Sequence, residues 1–388
     1  MNIVEEHREK CTRCGQCLDV CPRYEDPGLL DRLYGYLEGS SNIDPESLLR
    51  CLTCGICISA CPENLGIKPL ISPSRQKWVN ENGLTDRQTM VDPESENNLF
   101  KKVSEMDEIP EFTNRSGSVV YFPGCAGTYI NKVMAQASVA LLEKAGIDYT
   151  VLSGLEYCCG AVSAGAGDQG PIRKHGQKNI EEVRKRGAKI LITACPGCFR
   201  AFKDIYPRIF GKLDFEVLQV SQYLDRLLNE GWLTPENALK FRVFYHDPCH
   251  LTRGMGVYTE ARNVLEKIPG TLLVNKTPEG SACCGFGGGV RVNYPSESIS
   301  IASDRFQAAE KLGCEVIITN CGGCMQNLVE AGKDEKIRNN RNIKIFDLAE
   351  YLALACGIKI EREDRKMIEL VNRAYSSCVS DYREPDLS

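Results

Sequence analysis

Two sets of cysteines at fixed spacing constrain this chain more than any other feature. In the first, Cys11, Cys14, Cys17 and Cys21 precede Pro22, and the same C-x2-C-x2-C-x3-C-P run returns as Cys51, Cys54, Cys57 and Cys61 before Pro62. In the second, a single cysteine, a vicinal pair followed by glycine, and a C-x2-C occur twice. The first copy is Cys125, Cys158 with Cys159, and Cys195 with Cys198; the second is Cys249, Cys283 with Cys284, and Cys321 with Cys324. The copies are offset by 124, 125 and 126 residues, so the body of the chain is an internal repeat. Cys314, Cys356 and Cys378 stand outside both patterns.

So many thiols fit a secreted disulfide scaffold only if the chain is short and carries a signal peptide. This one has 388 residues and opens MNIVEEHREK, with no apolar leader segment. Reduced, cytoplasmic thiols that serve as metal ligands or redox groups are therefore expected. The net charge of −5 gives no nucleic-acid footprint. No apolar run approaches the roughly 18 residues of a bilayer span, so membrane contact is expected only peripherally, through a partner protein.

Texture around the cysteines predicts the fold class. A β-branched run enters the first cysteine of each copy (VVYFPGC, RVFYHDPC) and another enters each C-x2-C (KILITACPGC, CEVIITNCGGC). Helical periodicity fills the gaps, as in NKVMAQASVALLEKAG and SIASDRFQAAEKLG. Alternating strand and helix imply two related α/β lobes with largely parallel sheets and ligands at strand C-termini. The expected organisation is a small helical head at 1–91, with a helix near Pro69 to Asn80, then a polar linker at 92–117. Lobes at 118–235 and 236–359 and a charged helix or tail at 360–388 follow.

The run at the head is the one bacterial ferredoxins use for two [4Fe-4S] clusters. Three cysteines wrap one cubane and the fourth reaches the other. Cys11, Cys14, Cys17 and Cys61 are thus expected on one cluster, and Cys51, Cys54, Cys57 and Cys21 on the second. Structural zinc needs only four ligands and explains this run poorly. Each body copy offers five thiols, one more than a cubane or tetrahedral zinc consumes. The fifth is either a free redox thiol or a ligand to an expanded cluster; a zinc-stapled lobe with a spare cysteine and a vicinal disulfide are weaker readings.

The twice-repeated Cys, Cys-Cys-Gly and C-x2-C pattern resembles the CCG domain of heterodisulfide reductase. The head-plus-body order resembles the D subunit of that enzyme, or its C and B subunits fused. The resemblance covers residues 8–350 and all eighteen patterned cysteines. It implies two cubanes in the head and two noncubane [4Fe-4S] clusters in the body. One noncubane would use Cys125, Cys158, Cys159, Cys195 and Cys198, and the other Cys249, Cys283, Cys284, Cys321 and Cys324. It further implies an oxidoreductase that receives electrons from a flavoprotein or a membrane cytochrome b and cleaves a small-molecule disulfide of the coenzyme M–coenzyme B type, as in methanogenesis. The alternative within the same resemblance is an electron-transfer component of a flavin-dependent glycolate, lactate or glycerol-3-phosphate dehydrogenase, or of thiol:fumarate reductase.

The copies differ where Phe122-Pro-Gly-Cys125-Ala126 becomes His246-Asp-Pro-Cys249-His250. Cleaving a disulfide consumes two protons, so His250 and His246 are candidate catalytic residues, against a supporting role beneath the ligands. His7 and His175 lie in polar helical text and are expected at the surface. Arg253 is a candidate anion partner. Gly165, Gly167 and Gly170 match G-x-G-x-x-G but follow the vicinal cysteines rather than a strand, which argues against nucleotide binding. The glycines at 285–289 are expected to let backbone approach a bulky cluster.

Overall fold

The computed structural model describes residues 3–112, 117–277, 282–333 and 343–385. The body holds two four-stranded sheets of identical topology. In the first lobe, β1 (Val119–Phe122), β2 (Tyr149–Val151), β3 (Ile190–Thr193) and β4 (Glu216–Gln219) lie in the order β2-β1-β3-β4. In the second, β5 (Arg242–Tyr245), β6 (Leu272–Leu273), β7 (Val316–Thr319) and β8 (Lys344–Asp347) lie in the order β6-β5-β7-β8. Every pair is parallel, with Val119 opposite Ile190 and Val243 opposite Val316. The fold class is thus the α/β repeat that the alternating texture predicts.

The chain leaves β1 toward one edge and returns through β3 on the other side, so a crevice opens at the C-terminal ends of those two strands. Cys125 follows β1 and Cys195 follows β3; Cys249 and Cys321 follow β5 and β7. One apolar core joins the lobes, uniting Tyr121, Met134, Leu141 and Tyr223 of the first with Tyr245, Val264, Leu348 and Leu352 of the second. The helix Leu348–Ala355 of lobe 2 lies against Lys132–Lys144 of lobe 1, and Val220–Asn229 of lobe 1 against Glu260–Glu266 of lobe 2.

The head is all-helical. Leu29–Glu38 and Lys68–Asn82 pack around Leu29, Leu33, Tyr34, Leu70 and Ile71. The two cysteine runs fold into equivalent loops, each ending in a short helix (Gln16–Asp19, Ile56–Ser59). Arg13 and Thr53 occupy matching places two residues after the first cysteine and both have positive φ, 59° and 52°. Thr53, being β-branched, is strained at that φ, and the same φ at Arg13 shows that the two loops bend the backbone alike.

Three expectations change. The polar stretch at 92–117 contains the helix Leu99–Met106, capped by Asn98, which packs against the C-terminal helix Asp364–Cys378. Leu99 and Val103 are buried in the core it shares with that helix, and Phe100 and Met106 pack against it. His7 is buried and bonds the Tyr34 hydroxyl (2.6 Å) and the Gly66 carbonyl (2.7 Å), fastening the first helix to the second cysteine loop. His175 is also buried, its Nδ1 3.4 Å from the Glu156 carbonyl. Polar helical text hid both, because tertiary hydrogen bonds make an imidazole tolerable inside.

Candidate metal centres

In the head, Cys11, Cys14, Cys17 and Cys61 line one cavity of about 240 Å³ together with His7 and Gly66. Cys21, Cys51, Cys54 and Cys57 line a second. Each set draws three cysteines from one run and the last from the other. Cys14 is exposed, whereas Cys51, Cys54 and Cys57 are buried, so the first set faces outward and the second faces the body. Backbone N–H groups of Ile67 and Lys68 point at Cys57 Sγ (3.3 and 3.5 Å), and that of Thr53 at Cys51 Sγ (3.3 Å), the donors a thiolate takes.

In lobe 1, Cys198 Sγ lies 3.3 Å from Cys159 Sγ and is also bonded to Cys195. The Cys198 interaction, aided by backbone N–H groups, holds the Cys195 thiol down near 6 despite burial. Burial, with Cys158, Cys159 and Cys195 close by, drives Cys125 the other way. The chain reaches so near that a Cβ at Gly124 would stand 2.7 Å from Cys198 Sγ. In lobe 2, Cys283 bonds Cys249 and Cys284, and Cys284 bonds Cys324, which bonds Cys321. His246, 2% exposed, brings a ring nitrogen within 4.8 Å of the sulfurs of Cys284 and Cys324. It sits beneath the thiols. His250 is only partly buried, with Nδ1 3.5 Å from Cys249 Sγ and Nε2 3.4 Å from Thr53 Oγ1 of the head.

The head meets lobe 2 thiol to thiol. Cys54 bonds Cys283, which lowers the Cys54 thiol to about 7, and Leu52, Cys54, Cys249, Cys283 and Val290 form one buried cluster. Arg253 adds to this contact, its Nε donating to the Cys54 carbonyl (3.0 Å). The glycines at 285–289 approach head backbone: a Cβ at Gly288 would fall 1.9 Å from the Cys51 carbonyl oxygen, and one at Gly287 2.7 Å from that of Leu52. Gly167 of the G-x-G-x-x-G stretch does the same against Arg75, and Arg75 in turn ties Leu48 and Cys51 carbonyls to that of Gly165. No local pattern marks Arg75 or Thr53, whose partners are far along the chain.

All described cysteines are free thiols. Soft sulfur donors in groups of four and five, with N–H groups aimed at them, fit iron–sulfur clusters. The fold and these thiol sets define a class, an iron–sulfur oxidoreductase subunit with a dicluster head and a doubled cysteine-rich body. The family model of the 4Fe-4S dicluster domain matches residues 3–62, and that of the cysteine-rich domain matches 119–203 and 243–329. The D subunit of the dihydromethanophenazine:CoB–CoM heterodisulfide reductase of Methanosarcina acetivorans is 30% identical over 91% of this chain and 95% of its own. The B subunit of the fumarate reductase (CoM/CoB) of Methanothermobacter marburgensis is 28% identical over 91% of this chain and 62% of its own. A crystal structure of a hypothetical protein from Helicobacter pylori shares the fold, with TM-score 0.57 at 12% identity over 89% of this chain and 70% of that one. The chain belongs to the family of heterodisulfide reductase D subunits. Among the described residues no helix is long and apolar enough to cross a membrane.

Proposed function

We propose that this chain is the component of a heterodisulfide reductase-type complex in which a small-molecule disulfide of the coenzyme M–coenzyme B type is cleaved to two thiols. In this reading Cys11, Cys14, Cys17 and Cys61 hold one cubane and Cys51, Cys54, Cys57 and Cys21 the other. The two sets of five hold noncubane [4Fe-4S] clusters. Those groups, when bound, supply one-electron carriage in the head and iron sites for thiolates in the body. The observation that carries the reading is the buried contact of Cys54 with Cys283, which sets the inner head site directly against a five-thiol site. Exposed Cys14 then marks the side that faces the electron donor, a flavoprotein or a membrane cytochrome b.

His250 stands where head and lobe 2 meet, between Thr53 and Cys249. It is placed to give a proton from its ring to a released thiolate, or to orient the substrate. His246, buried under Cys284 and Cys324, is placed to support them. A second reading, an electron-transfer component that hands electrons to or from a flavoprotein, draws on the likeness to the fumarate reductase protein.

Anaerobically purified protein should contain about sixteen irons per chain with comparable sulfide and little zinc. With reduced viologen it should reduce the coenzyme M–coenzyme B disulfide. About eight irons would remove the clusters from the body. Full iron without disulfide turnover would leave the electron-transfer reading in place.

A further inference from the structure

The helix Lys68–Asn82 of the head begins against the usual pattern of helix ends. Its first turn holds no acid and its cap offers no side-chain acceptor; a lysine stands at the first position, where the macrodipole disfavours a cation. The N–H groups of Ile67 and Lys68 turn instead to Cys57 Sγ, a thiol of the inner site (3.3 and 3.5 Å). The helix that follows the first cysteine run, Leu29–Glu38, has Asp31 in its first turn.

Charge follows the same division. Lys68 is half-buried, its Nζ over the Cys54–Cys57 loop, 3.6 Å from where a Cβ at Gly55 would stand, and it makes no ion pair among the described residues. Burial brings its pKa below the ordinary value, so the charge is held where water is scarce and no acid compensates it. Two turns on, Arg75 is 3% exposed and donates to the Cys51 carbonyl (2.9 Å) and to those of Leu48 and Gly165. It meets no carboxylate among the described residues. Arg23 also lines the inner site and is the one of the three cations with an acid partner, Glu297.

At the outer site the cations are neutralised and wet. Arg13 is held by Asp31 (2.7 Å), Lys10 by Glu6 (2.7 Å) and Arg8 by Glu38 (3.1 Å), all of them exposed, and Glu63 adds an acid to the lining. Among the described residues no Asp or Glu lines the inner site. A reduced cluster carries one more negative charge, and its potential is set by net charge, N–H donors to sulfur and exposure. Exposure favours reduction of the outer site. Unpaired cations favour reduction of the inner one and act more strongly there, because less water screens them.

We propose that the helix Lys68–Asn82, through Lys68, Arg75 and its N-terminal N–H groups, holds the inner head site at a more positive potential than the outer, so that electrons run inward. This rests on the reading of the head thiols as cubane ligands. One electron leaves the outer site and enters the inner; no bond forms or breaks, no proton moves, and the electron-donor protein restores the outer site. A disulfide takes two electrons and they arrive singly, so the first is kept beside Cys283 while the second is delivered.

Full-length protein with its clusters, titrated anaerobically and followed by electron paramagnetic resonance, should give two reduced-cubane signals at separate midpoint potentials. Cys14→Ser should alter or abolish the one that forms at the lower potential. Lys68→Gln removes one charge from a side chain that makes no hydrogen bond among the described residues. It should move only the higher potential, toward negative, and Lys68→Arg should restore it. Arg75→Gln should move the same potential in the same direction. Loss of the higher-potential signal in Cys14→Ser would overturn the proposal, as would a Lys68→Gln protein with both potentials unmoved. Should Lys68→Gln not assemble its clusters, the order shown by Cys14→Ser and the Arg75→Gln shift decide. Absence of any reduced-cubane signal, in protein that carries body iron, would overturn the cubane reading and the proposal with it.

Discussion

Gly288 shows how much one missing carbon can decide. Its φ is +66°, and a Cβ there would meet the Cys51 carbonyl oxygen, backbone that cannot swing aside. Gly288→Ala should therefore push the glycine loop off the head while leaving both five-thiol sets in place. Turnover with the natural electron donor should fall by more than about tenfold, while turnover with a small viologen is spared; equal losses with both would contradict a purely positional role. His250 makes the complementary case. Lobe 1 folds around its ligands with Ala126 at the matching position. His250→Ala should keep its iron and lose roughly 10²-fold in disulfide reduction. Loss of lobe 2 iron together with activity would show that the ring merely supports Cys249.

Among the elements, the C-terminal helix Asp364–Cys378 acts as a clamp on the body. Arg291, two residues past the glycine loop, donates from Nη2 to both carboxylate oxygens of Glu330 (2.8 and 2.7 Å), with both side chains almost wholly buried. Asn372 and Tyr382, from the helix and the segment after it, bond the same guanidinium. Removing one member of such a pair strands a charge in the interior. Arg291→Met should cost about 3–5 kcal/mol in denaturant unfolding, and adding Glu330→Gln should recover part of it. The helix Leu99–Met106 packs on the other side of this clamp, which is why a stretch of polar text is ordered there.

At the scale of the whole molecule, the head is fixed against both lobes rather than hanging on a tether. Arg75, Arg253 and the two glycine stretches seat it, and Arg23 pairs with Glu297 of lobe 2. Cys14 lies at the far, exposed end of this arrangement. Cys14→Ser should slow reduction by the natural donor and leave most of the viologen-driven rate, provided the body retains its iron. If the viologen rate falls equally, the head does more than deliver electrons.

The spacing of eighteen cysteines, the β-branched runs entering them and the 124–126-residue repeat are local or periodic features. From them alone follow the grouping of the thiols, the parallel lobes and the placement of thiols at strand ends, while the five-ligand sets of the body are what the resemblance to the CCG domain implies. Only the tertiary structure decides which five-thiol site meets the head thiols, because Cys54 and Cys283 are 229 positions apart and no period links them. The same holds for the burial of His7, which depends on Tyr34 and Gly66 across the head. It holds for Asp347 too: its sequence reads as an ordinary helix cap, and only the fold leaves its outer oxygen buried without a hydrogen-bond partner among the described residues. Chain-local physics sets donors and strands, whereas the dielectric and the partners around a side chain exist only once the lobes have closed on each other.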